Sequence, residues 1–245
     1  MKLLVNGAPA DGARLGPWAL HGATVFTTIR VEEGAPALLE RHLARLADHA
    51  RALGVDHPGD DAIVRDLHAA SSAGGRLLVR LTLGDGIRLA QARPLEPPSA
   101  DVYANGARAI VTARRIHPDL GRYKTGNHLP YRLAAADAAE AGAFEGLLLD
   151  PDGNVVDGSR TSPILVSGDD LVILEGGLDG ITREAVAIEA RALGFDVRRE
   201  RRSRLDGQLL LAGSGVGLVP AGRPEDPRVR RLISAFRLDH PCSRR

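Results

Sequence analysis

Residues 24–31 read Thr-Val-Phe-Thr-Thr-Ile-Arg-Val, β-branched and alternating, which predicts a strand closed by the Glu33-Gly34 turn. The period then changes: Leu39, Leu43, Leu46, Ala50 and Leu53 recur at helical spacing up to Gly54, a C-terminal stop. Residues 60–72 predict a second helix and residues 76–83 a second strand, turned by Gly84-Asp85-Gly86. Ahead of all these, Leu3–Val5 predicts a short strand ended by Asn6-Gly7. Three prolines make 93–100 a loop, residues 107–113 alternate as a strand, and 114–126 show no periodicity.

Beyond that stretch the pattern predicts a helix over 131–141, then short strands at 145–150, 155–156, 164–166 and 171–174. Asp152-Gly153, Gly158 and Gly168-Asp169 separate them, and a further helix spans 182–193 before more strands. The expected fold is mixed α/β in two domains. The first is an N-terminal α/β sandwich over 1–113, and an interdomain segment follows over 114–126. The second is a sheet-rich, barrel-like domain over 127–245, and a cofactor cleft is expected between the two, the common location for such sites.

Composition narrows the function classes. At 245 residues the chain can bury a sizeable core, and a formal net charge of +1 gives no large footprint for nucleic acid or a membrane surface. Arg228-Val229-Arg230-Arg231 and Arg244-Arg245 are the most basic stretches, read as solvated charge or a dimer contact because no aromatic residues interleave them. A single cysteine, Cys242, excludes an intramolecular disulfide and a Cys-based zinc cluster, and fits a reducing cytoplasm. No signal-peptide pattern opens the chain, and no run of about eighteen apolar residues could span a bilayer. The expectation is a soluble cytoplasmic protein, and the histidines show no spacing suited to a metal.

One residue type is conspicuous by scarcity. Of 32 basic residues only Lys2 and Lys124 are lysine, and arginine cannot replace lysine where the nitrogen must lose its proton and condense with a carbonyl. Lys2 sits at a chain end, where fraying would position it poorly, which leaves Lys124 in Arg-Tyr-Lys-Thr-Gly-Asn (122–127). Accidental retention in an Ala/Arg-rich chain is the bland alternative. Asp157 offers a carboxylate in Gly153-Asn-Val-Val-Asp-Gly-Ser-Arg160, although Asp-Gly is also a common turn. Gly180-Ile181-Thr182-Arg183 opens a helix whose amides and dipole suit an anion, with the Thr182 hydroxyl as either donor or helix cap. Gly213-Ser214-Gly215 is a second small-residue turn. Arg45 falls away from the apolar face of its helix, as a solvated arginine would, and His42 lies at the apolar edge. An amine, an anion and a phosphate cradle are what pyridoxal phosphate asks of a protein.

Taken in order, these segments resemble the fold-type IV pyridoxal phosphate enzymes: branched-chain aminotransferases, D-amino acid aminotransferases and 4-amino-4-deoxychorismate lyases. The likeness runs from Asn6-Gly7 through Val219-Pro220, on Phe26-Thr-Thr-Ile-Arg30, His42-Leu-Ala-Arg45-Leu46, Lys124-Thr-Gly-Asn127 and Gly180-Ile-Thr-Arg183. It implies that Lys124 carries the cofactor, that Arg45, Ile181, Thr182 and Ser214 hold the phosphate, and that Asp157 faces the ring nitrogen. The family usually has Glu at that last position, and Ser-Asn where this chain has Thr161-Ser162-Pro163. Phe26-Thr27-Thr28 looks more like the lyases, whose reaction releases pyruvate and leaves 4-aminobenzoate. Thr28, Arg30, Arg80 and Asn127 are the candidates for substrate contact, with Arg122 a further cation for substrate carboxylates. The resemblance also implies a homodimer acting on a small amine or amino acid. An amino acid aminotransferase is the rival reading, and a non-catalytic relict of the fold is a third.

Overall fold

A computed structural model of the chain describes residues 3–5, 8–10 and 17–239. Lys2, the Asn6-Gly7 turn, His240, Cys242 and the Arg244-Arg245 pair lie outside the described residues. The elements begin with β1 (Leu3–Val5), β2 (Ala8–Ala10), α1 (Pro17–Leu20), β3 (Thr24–Glu32), β4 (Ala35–Pro36), α2 (Leu39–Leu53) and α3 (Asp60–Ala70). They continue with β5 (Arg76–Gly84), β6 (Ile87–Pro94), α4 (Ala100–Asn105), β7 (Ala109–Arg115), α5 (Pro118–Gly121) and α6 (Leu129–Glu140). Next come β8 (Glu145–Leu149), β9 (Val155–Gly158), β10 (Ser162–Ser167), β11 (Asp170–Leu174) and α7 (Ile181–Ala192). The series ends with β12 (Asp196–Glu200), β13 (Gln208–Gly213), β14 (Gly217–Ala221) and α8 (Pro227–Phe236).

The fold is mixed α/β, and its described residues group into two compact units. One gathers the chain up to Ala35 with Leu39–Arg93 and Lys124–Asn127; the other gathers Pro36–Leu38, Pro94–Tyr123 and the chain from His128 onward. The expected limit at 113 therefore does not follow this grouping. Residues 94–123 go with the second unit because β7 pairs parallel with β8, Ala109 facing Glu145.

In the first unit the sheet runs β4-β3-β5-β6, and β3 pairs antiparallel with β5 along its whole length, from Thr24 against Gly84 to Glu32 against Arg76. Alternation separates two faces. Val25, Ile29 and Val31 with Val79, Leu81 and Leu83 turn toward the apolar stripe of α2 and α3, where Leu43, Leu46, Ala50, Ile63 and Leu67 close one core. Phe26, Thr28 and Arg30 stand on the other face of the same strand.

The second unit holds the larger core. Its strands form two separate sheets, β7-β8-β9 and β12-β11-β10-β13-β14, with no closed barrel of paired strands among the described residues. Ile164, Leu165 and Val166 on β10 and Leu171–Leu174 on β11 are buried without alternation, as expected where both faces of a sheet are covered. One cover is formed by α7 and α8, through Val186, Ala187, Ala190, Val229, Leu232, Ile233 and Phe236. The smaller sheet carries α6, and Ile116, Tyr131, Ala134, Leu148 and Val156 pack together there.

β6, α4 and α8 are among the elements that went unread in the sequence. β6 is exposed along nearly all its length, so it has no hydrophobic alternation to betray it. The loop expected over 93–100 is shorter, because β6 continues to Pro94 and α4 starts at Ala100 behind Ser99, whose side chain accepts from the Val102 amide. The Arg228–Arg231 stretch lies within an amphipathic helix: Asp226 caps its N-terminus, Pro227 starts it, and Val229, Leu232, Ile233 and Phe236 are buried. Replacing Ile233 with Ala should cost about 2–5 kcal/mol of unfolding free energy by the cavity it leaves. The exposed Arg231→Ala on the same helix should stay within about 0.5 kcal/mol. Chemical denaturation of both variants checks the assignment of the buried face.

Candidate active site

In the first unit, Lys124 is placed by its backbone. The Phe26 amide donates to the Lys124 carbonyl at 2.8 Å, the Gly126 amide to the Thr24 carbonyl at 3.1 Å, and Val25 bridges to Thr125. The segment 124–126 thus extends the sheet edge at the start of β3, and Lys124 stands opposite Phe26 on its face of the strand. The Lys124 amide donates to His49 Nδ1 at 3.1 Å, and its Nζ lies 4.7 Å from the centre of the Phe26 ring. The aromatic face attracts the cation and fixes the direction of an otherwise flexible side chain. A Cβ on Gly126 would come within 2.5 Å of Thr24 Oγ1, so glycine is what lets this segment close on β3.

Helix α2 brings two more residues to β3. Arg45 is half-buried and donates from Nη2 to Thr27 Oγ1 at 3.3 Å, so it is not the freely solvated arginine that its place on the helical wheel suggested. Buried His42 shares a 2.6 Å hydrogen bond with the same Thr27 oxygen through Nδ1. Burial first, then the positive charges of Arg45 and Lys124, depress the His42 pKa from 6.5 to about 3, so the imidazole is neutral. Arg45 can only donate to Thr27 Oγ1, whose second lone pair or proton meets His42 Nδ1 according to the imidazole tautomer.

Thr28 is half-buried, in register with Arg80 on the Phe26 face. Arg30 points its Nη1 at Glu32, 2.9 Å away. Asn127 is exposed, its amide donating to Thr125 Oγ1 at 3.3 Å.

In the second unit, Asp157 sits in β9 with Leu148 as its cross-strand partner and is 3 % exposed, so it is not an ordinary surface turn residue. Its Oδ1 accepts from the Gly158 amide at 3.1 Å, and its Oδ2 accepts from the Leu178 amide at 3.3 Å and the Tyr131 hydroxyl at 3.4 Å. A buried carboxylate needs such donors. Burial, and then the charge of Asp157, raise the Tyr131 pKa, so the phenol keeps the proton it donates.

The loop 176–180 comes close to β9 and β10. A Cβ on Gly177 would meet the Val156 carbonyl at 2.3 Å, and one on Gly180 would meet Ser162 Oγ at 2.5 Å. Gly180 is the N-cap of α7 and brings no side-chain acceptor, so Thr182 lies in the first turn and is not the cap. Ile181 is buried and Thr182 half-buried there. Arg183 is fully buried, donating to the Leu174 carbonyl at 3.1 Å and to Asp179 at 3.0 Å, and so ties the loop to the helix that follows it. Ser214 is half-buried in the β13–β14 hairpin, where Gly213 pairs with Gly217 and stands beside Arg160 and Thr161.

The residues therefore collect in two sets. Lys124, Arg45, Thr28 and Arg80 surround β3 in the first unit; Asp157, Ile181, Thr182 and Ser214 border the β9–β10 connection in the second. Their chemistry fits pyridoxal phosphate: an amine for its aldehyde, a guanidinium, hydroxyls and an uncapped helix start for its phosphate, a buried carboxylate for its ring nitrogen. Sequence reasoning missed the roles of Thr27, Phe26 and Tyr131. One signal existed for Tyr131, one of only three tyrosines in the chain and seven residues beyond Lys124.

The sequence profile of the family described as amino-transferase class IV matches residues 24–222. The chain belongs to the class IV aminotransferase family. Members are pyridoxal-phosphate-dependent enzymes. The class IV chain is 52% identical to a solved structure named "putative 4-amino-4-deoxychorismate lyase", covering 97% of this chain and 99% of that one with a TM-score of 0.89. It is 28% identical to the "putative branched-chain-amino-acid aminotransferase" of Methanocaldococcus jannaschii, over 90% of this chain and 86% of the relative. It is 25% identical to the aminodeoxychorismate lyase of Bacillus subtilis, over 74% and 69% respectively. Among the described residues no helix is long and apolar enough to cross a membrane.

In this class IV chain the neutral state of His42 has a consequence for stability. The unfolded imidazole takes up a proton below about pH 6.5, while the folded one resists until about pH 3. Folding stability should therefore be complete above pH 6.5 and fall as pH drops through that window, by about 1.4 kcal/mol per pH unit at the steepest for one proton. His42→Gln should flatten this dependence, as measured by urea unfolding of the cofactor-free protein between pH 6.5 and 4.5.

Proposed function

We propose that this chain is a pyridoxal-phosphate-dependent lyase that cleaves 4-amino-4-deoxychorismate to pyruvate and 4-aminobenzoate. The observation that carries the reading is the 52% identity over nearly the whole length to a protein named for that activity, combined with Lys124 as the one lysine among the described residues. The two products together contain the atoms of the substrate, so the reaction consumes neither oxidant nor water.

Bound pyridoxal phosphate supplies an electron sink beside the substrate nitrogen. Lys124 Nζ would hold it covalently, Arg45, Ile181, Thr182 and Ser214 would bind its phosphate, and Asp157 would face its ring nitrogen. The chain's own part is proton handling and charge placement. Lys124 Nζ takes the proton from the substrate carbon and returns it later; the Phe26 ring limits where that nitrogen can swing. Thr27, hydrogen-bonded to neutral His42, accepts from the Arg45 guanidinium and so helps set the direction of that cation. Asp157, held by Tyr131 and two backbone amides, presents a carboxyl group in a buried place where a charge-assisted contact is strengthened. The reading includes a homodimer acting in the cytoplasm on a small amine.

An amino acid aminotransferase is the second reading, favoured by the 28% identity to the M. jannaschii relative. Incubation of the purified holoenzyme with 4-amino-4-deoxychorismate should release pyruvate catalytically, while D-alanine and branched-chain amino acids should give no pyridoxamine absorbance band. The reverse pattern overturns the lyase assignment. Lys124→Ala should lose at least about 10³-fold in turnover with an unchanged circular dichroism spectrum. Asp157→Asn, removing one charge-assisted contact, should lower kcat by about 10- to 100-fold.

A further inference from the structure

On the face of β3 that carries Phe26, Arg80 differs from its neighbours. Arg30 and Arg76 on the same sheet both reach Glu32, at 2.9 and 3.3 Å, and Arg88 on β6 pairs with Asp66 at 2.7 Å. Arg80 is half-buried, and no carboxylate among the described residues lies within ion-pair distance of it. Desolvation accordingly lowers its pKa, with no acidic partner to offset the cost. The guanidinium is nonetheless held in place. Its carbon stacks 3.5 Å from the centre of the Phe26 ring, and its Nε donates to Thr82 Oγ1 at 3.3 Å. Stacking fixes the plane and Thr82 occupies the Nε edge, so the fork of the two terminal nitrogens is what remains to donate. That fork matches a carboxylate with two parallel hydrogen bonds.

Its place relative to the amine is set by the same ring. Lys124 Nζ lies 4.7 Å from the Phe26 centre and Arg80 Cζ 3.5 Å, so the two groups are no farther apart than those distances combined. A molecule that reacts through its amino group at the Lys124 nitrogen and carries a carboxylate a few bonds away spans such a gap. We propose that Arg80 is the substrate-carboxylate receptor of this site, oriented by Phe26 and Thr82 and made selective for acids over neutral analogues by having no carboxylate partner among the described residues. Thr28, opposite Arg80 in the strand register, borders the same place. This inference rests on the proposed reaction at Lys124, and it narrows the three arginines suggested by sequence to one: Arg30 is committed to Glu32, and Arg122 is exposed, 6.0 Å from the Tyr123 ring.

Calorimetric titration of the holoenzyme with 4-aminobenzoate and its uncharged isostere 4-aminobenzamide tests the assignment. The wild type should prefer the acid by at least about 10-fold, Arg80→Gln should bind both alike with the acid weakened about 10- to 100-fold, and Arg80→Lys should fall between. With 4-amino-4-deoxychorismate, Arg80→Gln should raise KM by a similar factor while kcat stays within about threefold. Arg88→Gln, paired to Asp66 on the neighbouring strand, is the charge-matched control and should leave the preference intact. An acid preference that survives Arg80→Gln, a wild type without preference, or a subunit-dissociation constant that shifts in place of KM overturns the proposal. Visible absorbance of each preparation separates the two ideas. A wild type that takes up no pyridoxal phosphate overturns the reaction at Lys124, whereas a loaded Arg80→Gln variant with unaltered preference overturns the role of Arg80 alone.

Discussion

A short piece of antiparallel pairing decides where the chemistry can occur. Residues 124–126 come from about a hundred positions downstream and hydrogen-bond to the start of β3, Phe26 to Lys124 and Gly126 to Thr24. That pairing places the only lysine among the described residues opposite an aromatic ring and within electrostatic reach of the His42 imidazole, which Arg45 also influences. Backbone hydrogen bonds set the Cα, and the ring sets the direction of the side chain. A catalytic amine on a long, entropically costly stem is useful only if something removes that freedom beforehand.

Charge placement follows the same economy. Positive groups cluster around β3 in the first unit, and His42 stays neutral there because a further charge beside Arg45 and Lys124 would be both desolvated and repelled. In the second unit the buried carboxylate of Asp157 is satisfied by two amides and a phenol, and the glycines of loop 176–180 let one of those amides approach.

How much of this was legible in the sequence depended on what each residue does. β3 and β5 and helices α2 and α3 were readable because one face of each is apolar and the other is not. Lys124 stood out by scarcity, and Gly180–Arg183 by its motif. Arg45 misled the helical wheel, because a residue turned away from the apolar stripe can still reach Thr27 on a neighbouring strand. Phe26 was legible as a strand residue but not as the ring that both Lys124 and Arg80 approach, since cross-strand register is a tertiary fact. α8 was hidden by its arginines, which drew attention to charge when the spacing of Val229, Leu232, Ile233 and Phe236 carried the signal.

The central claim is a covalent one, and peptide mapping reads it directly. Reduction of the resting holoenzyme with borohydride, followed by proteolysis and mass spectrometry, should place a pyridoxyl group on the peptide containing Lys124 and on no other. A label on Lys2, or a protein that retains the cofactor with no reducible link to any lysine, would contradict the account.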